Sequence, residues 1–219
     1  MKKTKIIFVL TLFSLVLSVN LRAQTKAFSS AKGAGKNQAS YEFERWNFSI
    51  GKNQYEIDKN GLGRRINFAG ILTKFRLLKA DDESLHRVIY FSPYKNDLLL
   101  LSEIDYQGYG AGFIVRLDGK TLKTKWRREI PGFNIAQGLI EKKWAYLAAI
   151  GFIAKIDLET GKYLWKHDDL YRKYEESGAF NIFETPKSVN SLVLFKEEGE
   201  NNQIEVNKMS GKIIKVSLN

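Results

Sequence analysis

The 219-residue chain has no cysteine, three prolines, two histidines and two methionines. Lack of cysteine excludes disulfides, thiolate zinc sites and thiol nucleophiles, and leaves no thiol for a lipid anchor. A domain of this size must then be held by its hydrophobic core. The two histidines, His86 and His167, stand among charged residues without the spacing of paired metal ligands, and both are read as solvated side chains. No GxSxG motif and no calcium-loop pattern is present. The glycine groups Gly61-Leu62-Gly63 and Gly108 to Gly112 do not stand between a strand and a helix, so they read as hairpin turns rather than phosphate cradles.

The N-terminus does carry a pattern. Lys2, Lys3 and Lys5 precede an apolar stretch from Ile6 to Val19, and Leu21-Arg22-Ala23 precedes Gln24. That arrangement predicts a cleavable signal peptide over residues 1–23, its apolar run being shorter than the roughly 20 residues of a spanning helix. Residues 24–40 are rich in Ser, Ala, Gly and Lys and are read as a flexible linker. Residues 41–219 are read as one domain. The net charge of +11 invites a nucleic-acid reading, yet residues 1–40 hold seven basic residues and no acidic one, leaving 35 − 7 = 28 basic against 24 acidic in the domain. Such a balance is ordinary for a soluble surface, and no nucleic-acid partner is expected.

From Tyr41 onward, aromatic and β-branched residues come in short runs separated by Gly, Asn and Asp, the pattern of successive strands. Residues 112–128 (GFIVRLDGKTLKTKWRR) lie in ungapped register with residues 151–167 (GFIAKIDLETGKYLWKH), and pair Asp118 with Asp157 and Trp126 with Trp165. The period is 39 residues. Weaker copies are read at Val206 to Ile214 and at Ile57 to Ile66, both without tryptophan. In each unit the aspartate begins a turn by accepting backbone hydrogen bonds, Gly161 supplies a positive φ, and the tryptophan can cover a neighbouring unit. Before each hairpin lies a near-continuous apolar run, Asp97 to Ser102 and Trp144 to Ala149, as expected of strands buried on both faces.

The stretch Ala154-Lys155-Ile156-Asp157-Leu158-Glu159-Thr160-Gly161-Lys162-Tyr163-Leu164-Trp165 resembles the blade motif of pyrroloquinoline-quinone (PQQ) type β-propeller repeats. The resemblance implies an all-β fold, a small β-propeller or propeller-like stack of about four four-stranded antiparallel units, and assigns structural roles to Asp118, Trp126, Asp157, Gly161 and Trp165. In that family the tryptophans dock adjacent blades, a role that falls here on Trp126 and Trp165. Four units are few to enclose a quinone, so no cofactor, metal or catalytic residue is expected. The expected function is an exported, periplasmic or secreted, non-enzymatic module that binds another envelope or secreted protein. Two alternatives are an immunity or inhibitor protein against an envelope-targeted toxin and a small exported quinone-binding protein. The C-terminal strand is expected to pair with a strand near Tyr41 to Ile50 and close the domain, or else to add to a partner's sheet.

Overall fold

The computed structural model describes residues 45–79, 83–106 and 109–219. The signal-peptide and linker segments lie outside the described residues. The described chain forms four four-stranded antiparallel sheets, each built from consecutive strands. The first holds β1 (Arg45–Ile50), β2 (Asn53–Asp58), β3 (Leu62–Ile66) and β4 (Leu72–Arg76). The second holds β5 (Glu83–Tyr94), β6 (Asp97–Tyr106), β7 (Tyr109–Asp118) and β8 (Thr124–Ile130). The third holds β9 (Leu139–Glu141), β10 (Trp144–Ala149), β11 (Phe152–Asp157) and β12 (Tyr163–His167). The fourth holds β13 (Lys187–Val189), β14 (Leu192–Lys196), β15 (Gln203–Asn207) and β16 (Ile213–Ser217). A short helix, Leu170–Lys173, and a 3-10 turn, Glu175–Ser177, lie between β12 and β13.

Three hydrophobic clusters fill the spaces between successive sheets. The apolar runs explain them, because side chains alternate across a strand and a run without polar gaps must bury both faces. In β10, Ala145, Leu147 and Ala149 face the second sheet while Tyr146 and Ala148 face the fourth. In β6, Leu98 and Leu100 join the first sheet's cluster and Leu99 and Leu101 the third's. The terminal sheets are different. Phe195, Val193, Ile204 and Val206 of the fourth are buried, but Ile214 and Lys215 are exposed. In the first, Tyr55, Ile57 and Phe75 are buried, while Leu62, Ile66 and Leu72 are each about half exposed.

The expected pairing of the last strand with the first is corrected by this topology. Strand β16 hydrogen-bonds to β15 and β1 to β2, in separate sheets.

Candidate functional site

Four turns of one design organise the interfaces between sheets. Asp118 Oδ1 accepts hydrogen bonds from the Lys120 and Thr121 amides at 3.1 and 2.7 Å and from the Thr121 hydroxyl at 2.9 Å. Asp157 Oδ1 accepts from the Glu159 and Thr160 amides at 2.9 and 3.0 Å and from the Thr160 hydroxyl at 3.3 Å. Asn207 repeats the pattern with Met209 and Ser210, since an amide oxygen accepts as a carboxylate does. Asp58 takes the Asn60 and Leu62 amides. This last turn joins the second and third strands of its sheet, whereas the other three join the third and fourth. Measured from the turn, β4 is therefore a strand added outside the repeat.

Each turn also contains a residue in the left-handed conformation: Gly61, Leu122, Gly161 and Gly211, with φ of 69°, 60°, 66° and 72°. Four positions later stand Arg65, Trp126, Trp165 and Lys215. The side chain at that later position, where it reaches the next sheet, lies on that sheet's turn. Trp126 donates from Nε1 to the Leu158 carbonyl at 3.2 Å, and Arg116 donates to the same oxygen at 2.9 Å. Trp165 donates to the Lys208 carbonyl at 3.2 Å, joined there by the Lys155 ammonium at 2.7 Å. Both tryptophans pack closely over a glycine. A Cβ at Gly161 would come within 2.5 Å of the Trp126 ring, and one at Gly211 within 2.4 Å of the Trp165 ring. Glycine is thus required twice over, by the positive φ and by the ring above it.

Between the first and second sheets the same job is done by other residues. Arg65 donates to the carbonyls of Gly119 and Lys120 at 2.7 and 2.8 Å, and the left-handed position opposite is Leu122, only 3% exposed. Arg65 was not legible as a seam residue, because its copy of the repeat lacks the tryptophan that marks the others.

The seam between the second and third sheets carries a charged network as well. Arg116 pairs with Asp97 at 2.5 Å and with Glu159 at 2.8 Å, Lys125 reaches Asp97 at 2.9 Å, and Tyr94 donates to Glu159 at 2.8 Å. Lys95, Arg116 and Tyr94 together hold the Glu159 carboxyl down at about 2. Burial and the facing Glu159 push the Tyr94 hydroxyl up to about 12. These pairs tie the second sheet to the third.

His167, read from the sequence as solvated, instead contacts the Gly211 carbonyl through Nε2 at 2.8 Å, across the third and fourth sheets. A cavity of about 210 Å³ is lined in part by Glu141, Trp144, Tyr146, Lys155 and Lys208. Burial lowers the Lys155 pKa, and its ammonium sits 4.2 Å from the centre of the Trp144 ring. Among the described residues, no group of three or more His, Asp or Glu is placed to hold a metal.

The series of seams stops at both ends. The carbonyl of Lys59, equivalent to those of Gly119, Leu158 and Lys208, accepts instead from the Leu85 amide of the same chain at 2.7 Å. Leu78 occupies the space over Gly61 that a preceding tryptophan would take. At the other end, Glu205 and Lys215 stand where Lys155 and Trp165 stand in the third sheet. A carboxylate cannot donate to a carbonyl. Among the described residues, the outer sides of the two terminal sheets therefore do not repeat the contacts made on their inner sides.

Solved structures give this arrangement a name. Over 77% of its length the chain superposes on half (50%) of BamB from Moraxella catarrhalis, with a TM-score of 0.51 and 14% identity. The sheets are propeller blades. Quinohemoprotein alcohol dehydrogenase from Comamonas testosteroni gives a TM-score of 0.50 at 13% identity, covering 78% of this chain and 34% of that one. Sqt1 from Saccharomyces cerevisiae gives 0.50 at 9% identity, covering 77% and 48%. The chain spans half or less of the length of these structures. No family model and no curated protein matches it.

Proposed function

We propose that the protein is an exported, non-enzymatic module of the PQQ-like propeller type that binds another envelope or secreted protein. Export rests on the N-terminal basic and apolar segments. The observation that carries the binding role is the free side of the fourth blade. Strand β16 is paired with β15 alone among the described residues, Ile214 beside its free edge is 53% exposed, and Leu218 just beyond is 44% exposed. An edge strand with unpaired backbone groups and exposed apolar side chains is a template for strand addition. The charged groups of the seams support the same reading, because their partners are structural and leave no constellation for turnover.

The test is a cross-linked pull-down from the envelope fraction with the wild-type chain and with Ile214→Asp. One partner retained by the wild type and lost by the variant, with an unchanged melting midpoint, is the expected result. Equal retention by both proteins would remove β16 as the site. A robust catalytic turnover with no partner captured would overturn the function itself.

A further inference from the structure

We propose that the β3–β4 hairpin is a membrane-surface anchor that inserts its tip into a bilayer bearing anionic phospholipids. This hairpin contains the strand that lies outside the repeat, so its shape is not dictated by blade packing. Its tip is nonetheless rigidly built. Asn67 Oδ1 accepts from the Ala69 and Ile71 amides at 3.0 and 2.9 Å, and the Asn67 amide and carbonyl bond to the Ile71 carbonyl and the Gly70 amide. That frame holds apolar side chains out in water: Phe68 is 80% exposed, Ile71 61%, Leu72 49% and Ile66 48%. Ile66 and Leu72 are cross-strand partners, so the four side chains cap one end of the hairpin. An apolar cluster displayed on a well-ordered turn loses contact with water only by entering another phase or surface.

Charge selects which one. Residues 59–80 contain six basic residues (Lys59, Arg64, Arg65, Lys74, Arg76, Lys79) and no acidic one; of the six, Arg65 is committed to the seam and Lys79 pairs with Glu129 at 3.2 Å. Lys52, from the neighbouring β1–β2 turn, lies 5.6 Å from the Phe68 ring centre. Arg64 and Lys74 face each other across the two strands, on the exposed face below the tip. Glu56, on the adjacent strand, stands 3.7 Å from both Arg64 and Arg45, leaving an excess of positive charge on that face. A projecting apolar tip with basic residues set just behind it matches the layering of a bilayer surface, apolar chains beneath anionic headgroups. Protein interfaces are depleted in lysine, which favours the lipid surface over an acidic protein.

Absence of cysteine makes a direct test available. Phe68→Cys in the full chain gives one thiol for an environment-sensitive fluorophore, and Ser210→Cys gives a control on a distant turn. Vesicles of phosphatidylcholine with phosphatidylglycerol should raise and blue-shift the emission at position 68 and leave position 210 unchanged. Neutral phosphatidylcholine vesicles should give little response. Adding Arg64→Gln and Lys74→Gln should weaken vesicle binding, read at position 68, about thirtyfold, as expected for two basic residues near an anionic surface. Ile71→Asp should abolish it. An unshifted label on anionic vesicles, or an equal shift on neutral ones, would overturn the proposal. So would a label that stays in water with vesicles yet becomes buried when a captured protein partner is added.

Discussion

Two seams of the same molecule solve one packing problem with different chemistry. Between the second and third blades a flat indole lies on a glycine and shares a carbonyl with Arg116. Between the first and second blades a guanidinium reaches two carbonyls and the glycine is replaced by a buried leucine. The difference teaches that the position opposite the seam side chain is not free to vary alone. A ring that covers the turn excludes any Cβ there, whereas an arginine that reaches past it to the carbonyls is found with a leucine, despite the strain of a positive φ. The repeat is thus conserved within the chain as a pair of positions, and reading one of them without the other misses a seam.

The largest expected effect follows from removing an indole. Trp126→Ala should cost about 3–5 kcal/mol, the usual range for a buried tryptophan, and Arg65→Ala about 1–2 kcal/mol for its charged hydrogen bonds. Urea melts of the two variants would show the gap, and equal midpoints would erase the distinction between the seams. Trp46→Ala, in a partly buried strand of the first blade, should fall below Trp126→Ala in the same experiment.

Next comes the glycine. Gly161→Ala meets both a left-handed φ and the Trp126 ring, and should lose about 1–3 kcal/mol. In the background of Trp126→Ala the ring is gone and only the φ penalty remains, so the same substitution should cost less. A cost that does not fall would mean that the ring plays no part.

The fold was legible in the sequence where the repeat carried its own markers. Asp118, Trp126, Asp157, Gly161 and Trp165 are large, rigid or hydrogen-bonding residues at fixed spacing, and the apolar runs at Asp97 and Trp144 announced strands covered on both faces. The first blade was harder to read because its turn is a residue shorter and its seam residue is arginine, a type common on surfaces. The strand β4 was invisible as an addition, since a hairpin outside the repeat has the same alternating texture as one inside it. The end of the stack was misread for a different reason. Strands β1 and β16 each pair within their own sheet, and on the first blade the Leu85 amide takes one lone pair of the Lys59 carbonyl while Leu78 covers Gly61, residues that carry no motif.

The smallest expected effect concerns acid. Glu159, held at about 2 against an ordinary 4.5, contributes stability that is complete above about pH 4.5 and is lost as the pH falls through about 2. Glu159→Gln should flatten that part of the stability profile, leaving a smaller loss between pH 4.5 and 2 than in the wild type. The carboxylate is partly exposed, so solvent screening keeps the effect modest. Matching acid profiles for the two proteins would show that the second seam does not depend on this carboxylate.

The most direct measurement of the paired-seam account is a double-mutant cycle that converts the first seam into the second. Arg65→Trp alone should set an indole against the Leu122 side chain, and Leu122→Gly alone should leave a buried space beneath an arginine, so each should lower the urea midpoint. Combined, Arg65→Trp with Leu122→Gly should recover stability relative to the sum of the two losses, with a favourable coupling of about 1 kcal/mol or more. Losses that simply add would contradict the claim that the seam residue and the left-handed residue opposite it specify one another.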